Sequence, residues 1–202
     1  AVTYSYAGTN GTVYAASSSR PTNAGSYTAV ATLAGDSNYN GATSSAYLFT
    51  ISSATPVITW ASPAAITYGT ALSATQLNAT STVAGSFVYN PTNGAVLNAG
   101  TNTLNVTLNP TDTNNYTSAS NSVSLVVNKA GSTVTVTGAT NYTYNGSALG
   151  PTTSTNTGSS GAVTYSYAGT NGTVYAASSS RPTNAGSYTA VATLAGDSNY
   201  NG

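Results

Sequence analysis

Cysteine, histidine, methionine and glutamate are all absent from the 202 residues, and only six side chains carry charge: Arg20, Asp36, Asp112, Lys129, Arg181 and Asp197. These absences remove the usual means of proton transfer, thiol nucleophilicity and transition-metal ligation. Neither catalysis nor a cofactor is expected. Calcium would require several carboxylates and backbone oxygens around one ion, and each segment of the chain offers a single aspartate, so turn capping is the favoured role for Asp36, Asp112 and Asp197. A net charge of zero leaves no basic footprint for nucleic acid or for an anionic membrane surface. The longest apolar run, Ala46 to Phe49, falls far short of the roughly 20 residues of a spanning helix, so no membrane insertion is expected in these residues. Lack of cysteine does not fix the compartment, because disulfides are optional outside the cell.

What is present is alternation. Val2, Tyr4 and Tyr6 are separated by Thr3 and Ser5, and the same period recurs in Tyr47, Phe49 and Ile51, in Leu104, Val106 and Leu108, and in Val123, Leu125 and Val127. Each run predicts a strand with one buried face. Turn signals separate them at short intervals, among them Asn10-Gly11, Asn93-Gly94 and Asn145-Gly146. No segment shows a 3.6-residue apolar period, so the chain reads as all-β, built from short antiparallel strands. Sixteen tyrosines against two phenylalanines and one tryptophan place large rings with a polar tip where small cores need apolar area. Trp60 is expected to be a core aromatic.

The chain also repeats itself. Residues 1–41 and 162–202 are identical, so the sequence recurs after 161 residues. A weaker repeat lies within: the stretch from Asn23-Ala24-Gly25 to Ser52 aligns with that from Asn98-Ala99-Gly100 to Asn128, each passing through an aspartate loop that ends in Asn-Tyr. The alignment gives three segments: 1–53 as the C-terminal half of one module, 54–129 as a complete module, and 130–202 as the N-terminal part of a further one. Module lengths of about 85 and 76 residues, with some seven strands each, predict immunoglobulin-like antiparallel β-sandwiches. In the aspartate loops, Asp36, Asp112 and Asp197 are expected to cap the turn, and Tyr39, Tyr116 and Tyr200 to swing back as anchors, by analogy with the tyrosine corner of such sandwiches. The window opens inside a repeat, and its third segment stops before an equivalent of Ala42–Ser52. The last strand of that segment is therefore expected from chain or subunit beyond residue 202.

Residues 54–130, with Tyr68-Gly69-Thr70, and the related Tyr144-Asn145-Gly146 resemble the bacterial immunoglobulin-like and MBG-type modules that stand in tandem in large surface proteins. The resemblance implies an extracellular place on the bacterial cell surface and a spacer role in adhesins, stalks or fibrous layers; it transfers no catalytic residue. Links as short as Ser52–Pro56 and Asn128–Thr133 are too short to act as flexible tethers, and stacking strands of roughly 20–27 Å end to end predicts an elongated rod or fibre. Uncharged surfaces and open strand edges favour self-association, so copies of the chain itself are the expected partners, end to end, laterally, or by strand donation between subunits. The alternative is an adhesin repeat that binds glycans or other surfaces through exposed rings such as Tyr4, Tyr6 and Tyr14.

Overall fold

The computed structural model describes all residues 1–202. Fourteen strands and no helix make up the chain. In chain order they are β1 (Val2–Thr9), β2 (Gly25–Leu33), β3 (Ala42–Thr43), β4 (Tyr47–Ile51), β5 (Ile58–Thr59), β6 (Ile66–Thr67), β7 (Thr80–Ser81), β8 (Gly85–Asn90), β9 (Gly100–Pro110), β10 (Ala119–Asn128), β11 (Thr133–Thr137), β12 (Thr153–Thr157), β13 (Val163–Thr170) and β14 (Ser187–Leu194). β2 pairs with β1 on one side and with β3 and β4 on the other; β6-β10-β9-β8 form a second sheet; β11-β12, β13-β14 and β5-β7 are two-stranded. β1-β2, β2-β3, β2-β4, β5-β7, β8-β9, β11-β12 and β13-β14 pair antiparallel; β6 lies parallel on β10, with Ile66 facing Val127, and isolated parallel bridges join Ala54 to Tyr116 and Ala130 to Tyr200, exceptions to the uniformly antiparallel expectation.

The chain divides into two compact units, the first comprising residues 1–61, 78–90 and 105–122, the second residues 62–77, 91–104 and 123–202. Within the first, Tyr27, Ile58, Trp60, Val106 and Leu108 are buried. The Trp60 ring stands edge-on to Tyr89 with centroids 5.5 Å apart, and the Tyr89 hydroxyl accepts from the Ala79 amide at 2.9 Å. Thus the polar tip of a core tyrosine satisfies a backbone donor that burial would otherwise strand. The core of the second unit comprises Leu72, Leu104, Leu125, Val127, Tyr167 and Leu194. β9 shows the cause most clearly. Its inward residues Leu104, Val106 and Leu108 are sealed from solvent, while Asn105 and Asn109 between them are exposed, the period-2 alternation that a half-buried strand requires.

Asn10 and Gly11 both adopt positive φ, 51° and 85°, the two-residue turn whose twist matches a hairpin, and the Thr12 amide closes it on the Thr9 carbonyl at 3.0 Å. Asn171 and Gly172 repeat it at 50° and 87°. After this turn the chain runs back along β1, where Tyr6 and Ser17 exchange both backbone hydrogen bonds.

Two of the alternating runs are not buried along their length. Val2 and Tyr4 in β1, and Tyr47 in β4, are mostly exposed. Alternation sorts side chains to one face of a strand; burial then requires a second layer over that face. Replacing Leu104 by alanine, at a site with no solvent access, is expected to cost about 2–5 kcal/mol, read from the urea midpoint at unchanged slope. A loss below about 1 kcal/mol would contradict a closely packed site.

Candidate functional site: clasps at the segment boundaries

The aspartate loops are built alike. Asp36 Oδ1 accepts from the amides of Asn38 and Tyr39 at 2.8 and 2.9 Å, Asp112 Oδ1 from Asn114 and Asn115 at 3.2 and 3.1 Å, and Asp197 Oδ1 from Asn199 and Tyr200 at 2.9 Å each. Such a carboxylate fixes the loop in place of backbone partners. In two of the three loops the asparagine before the tyrosine then reaches out of its own segment.

In the first unit, Asn115 Oδ1 accepts from the Ala24 amide at 2.7 Å, and its Nδ2 donates to Asn23 Oδ1 at 3.3 Å and to Asp112 Oδ2 at 2.8 Å. Its carbonyl accepts from the Ala54 amide at 2.8 Å, and the Thr117 amide donates to the Ala54 carbonyl at 2.9 Å, forming a parallel bridge between Ala54 and Tyr116. The second unit repeats the arrangement. Asn199 Oδ1 accepts from the Ala99 amide at 2.8 Å and Nδ2 donates to Asn98 Oδ1 at 3.3 Å. The Ala130 amide donates to the Asn199 carbonyl at 3.0 Å, and the Asn201 amide to the Ala130 carbonyl at 2.8 Å. One asparagine thus ties the Asn-Ala-Gly stretch of the preceding segment and the linker residue, Ala54 or Ala130, to a single loop. We call this arrangement a clasp.

The Asn-Ala-Gly half is itself held from within. The Tyr27 hydroxyl donates to the Asn23 carbonyl at 2.8 Å, Asn102 Nδ2 to the Asn98 carbonyl at 3.0 Å, and the Tyr188 hydroxyl to the Asn184 carbonyl at 2.9 Å. Each donor stands four residues after the asparagine, so a side-chain donor at that aligned position was the signal available in the sequence. The partnership of Asn115 with Ala24 and of Asn199 with Ala99 had no local signal, since the pairs lie 91 and 100 residues apart.

The anchor tyrosines differ from one another. Tyr200 is half-buried and meets Tyr68 edge-on at 5.2 Å, and Tyr116 is half-buried. Tyr39 is 76% exposed. Trp60 is 8% exposed and sits in the core, away from the loops. Lys129, at the second boundary, donates through Nζ to the Asp197 carbonyl.

Electrostatics strengthen the clasp loops. The Asp197 carboxyl is held well below the usual carboxylate range, foremost by the Ser160 amide, then by the amides of Asn199 and Tyr200 and the Ser160 hydroxyl. The Asp112 carboxyl is lowered chiefly by the Asn115 side-chain amide, helped by the backbone amides of Asn115 and Asn114. All of these donors stabilise the ionised form.

A chain without helices, in which tandem β segments are joined to their neighbours by recurring backbone and asparagine contacts, defines a tandem-repeat protein. The MBG domain family matches residues 1–55 and 132–202, more than half of the sequence, and the chain belongs to that family. The match includes Tyr144-Asn145-Gly146 and falls on the two segments that share the 41-residue repeat. Residues 56–131, which include Tyr68-Gly69-Thr70 and most of the stretch whose resemblance is noted above, lie outside it. No curated protein matches the sequence.

Asn115→Ala removes the acceptor of a part-buried amide, and a loss of about 1–3 kcal/mol is expected; by hydrogen exchange, the Ala24 amide loses protection while Ala99 keeps its own, and Asn199→Ala does the reverse. Equal loss at both alanines in either variant would refute two independent clasps. Because both clasp aspartates titrate below the unfolded value of about 3.9, their contribution is complete above that pH and is lost as pH falls through the folded values. Amide shifts of Ser160 and Asn199, followed by NMR from about pH 5 to 2, should stay nearly flat because Asp197 remains ionised through the usual carboxylate range; a full titration of these amides near pH 4 would refute the clasp electrostatics.

Proposed function

We propose that this chain is a structural, non-catalytic repeat segment of an extracellular fibre or stalk on the bacterial cell surface, in which tandem immunoglobulin-like β-sandwich modules form an elongated rod that self-associates into filaments. The observation that carries this reading is the clasp, made twice with the same atoms at the boundaries near residues 54 and 130. A linker residue bonded on both sides to the next segment's loop cannot act as a free tether, so each added repeat adds length rather than slack. Membership of the MBG domain family, a domain type of bacterial surface proteins, supports the location. The near absence of charge leaves little repulsion between neighbouring copies.

The adhesive alternative leans on Tyr4 and Tyr6, which stack at 6.5 Å with Tyr4 exposed. The identical residues of the second copy argue against it. Tyr165 donates to Ser154 Oγ at 3.0 Å and Tyr167 to the Pro151 carbonyl at 2.6 Å. These rings belong to a strand face that another layer covers, not to a surface kept open for a glycan.

Negative-stain microscopy of a purified multi-repeat array tests the proposal. Bundles or filaments are expected, and well-dispersed single rods at high concentration would overturn self-association.

A further inference from the structure

Three basic side chains occur in the 202 residues: Arg20, Lys129 and Arg181. Both arginines precede proline, and Pro21 and Pro182 are buried. A proline ring fixes φ and replaces the amide hydrogen, so the bond after each arginine does not fit a serine endoprotease that cuts after basic residues. The bond from Lys129 to Ala130 is the one remaining bond of that kind in these residues, and it lies in the second clasp.

Lys129 is exposed and stands at a segment boundary, a place that exposure alone would make an open target. Its surroundings hold it instead. The Asn128 carbonyl accepts from the Tyr68 amide at 2.8 Å, and Asn128 stands opposite Thr67 in the parallel pairing of β10 with β6. Lys129 Nζ donates to the Asp197 carbonyl. The Ala130 amide donates to the Asn199 carbonyl at 3.0 Å, and the Ala130 carbonyl accepts from the Asn201 amide at 2.8 Å. A protease of this specificity draws the basic side chain into an acidic pocket and pairs the neighbouring backbone with its own as an added strand. Here the ammonium, the carbonyl before it and both backbone groups of the residue after it are already engaged. The first boundary has no counterpart, because Ser53-Ala54-Thr55 carries no basic residue.

We infer that the bond from Lys129 to Ala130 is a latent processing site for a serine endoprotease of trypsin-like specificity, masked while the second clasp is closed and cut when it opens. Cleavage adds one water across the peptide bond, leaving a carboxylate on Lys129 and an ammonium on Ala130. Where opening and closing are fast relative to cutting, the rate follows the population of the open clasp. The inference needs only the clasp and is independent of the fibre reading.

Trypsin is the probe, applied to the intact chain with intact-mass readout and compared with a peptide of residues 124–135. The folded chain is expected to resist enzyme that cuts the peptide to completion, and the products of slow cutting should be residues 1–129 and 130–202. Asp197→Ala, which removes the acceptor of the clasp loop, should be cut about tenfold faster, and Asp112→Ala, the matching change in the first clasp, at the unaltered rate. In the unaltered chain, the ratio of peptide to chain cutting rates should equal the hydrogen-exchange protection of the Ala130 amide within about threefold; this comparison holds whether or not either variant folds. Cutting of the folded chain as fast as the peptide would overturn the mask. Equal acceleration in both variants, or a larger mismatch with the protection of Ala130, would exclude the second clasp as the gate. Products ending at Arg20 or Arg181 would refute the single site.

Discussion

The amide of an alanine in an Asn-Ala-Gly turn must find an acceptor, and in this protein the acceptor comes from the next segment. Ala24 and Ala99 each donate to an asparagine whose own backbone holds the linker. A buried or half-buried amide left unpaired costs more than a hydrogen bond gains, so the contact weighs most through what its loss would leave exposed. With almost no charge to arrange neighbours by long-range forces, short directional contacts of neutral groups carry the burden. The exceptions are Asp112 and Asp197, placed inside the clasp loops, where amide donors hold them ionised.

The duplicated 41 residues give a controlled comparison that few proteins offer. Leu33 is 47% exposed and Leu194 only 3%, although the two residues and those adjacent to them in sequence are the same. The hairpin turns at Asn10 and Asn171, the caps at Asp36 and Asp197, and the ring contacts of Tyr14 with Tyr27 and of Tyr175 with Tyr188 recur almost unchanged. Local interactions within about fifteen residues are therefore reproduced by sequence alone, whereas burial follows whichever strands lie above each copy.

Much of the fold was legible for the same reason. The alternation of Leu104, Val106 and Leu108 specified a half-buried strand because side-chain direction is fixed by the pleat, and Asn-Gly pairs specified turns because few residues tolerate positive φ. The clasp was half legible: the aspartate loops and the Asn-Ala-Gly stretches could be aligned as equivalents, but nothing in either stretch names the other as its partner. Tyr39 and Tyr200 make the same point, one exposed and one packed on Tyr68.

What the sequence by itself determined is the class and the punctuation: an all-β chain in tandem segments, the positions of its turns and caps, and the residues able to form a core. These depend on backbone sterics and on hydrogen bonds that close within one loop. The tertiary structure decided which asparagine meets which alanine, that Tyr200 packs on Tyr68, and the parallel pairing of β6 with β10. These depend on residues far apart in the chain, and two identical stretches here take different answers because their surroundings differ.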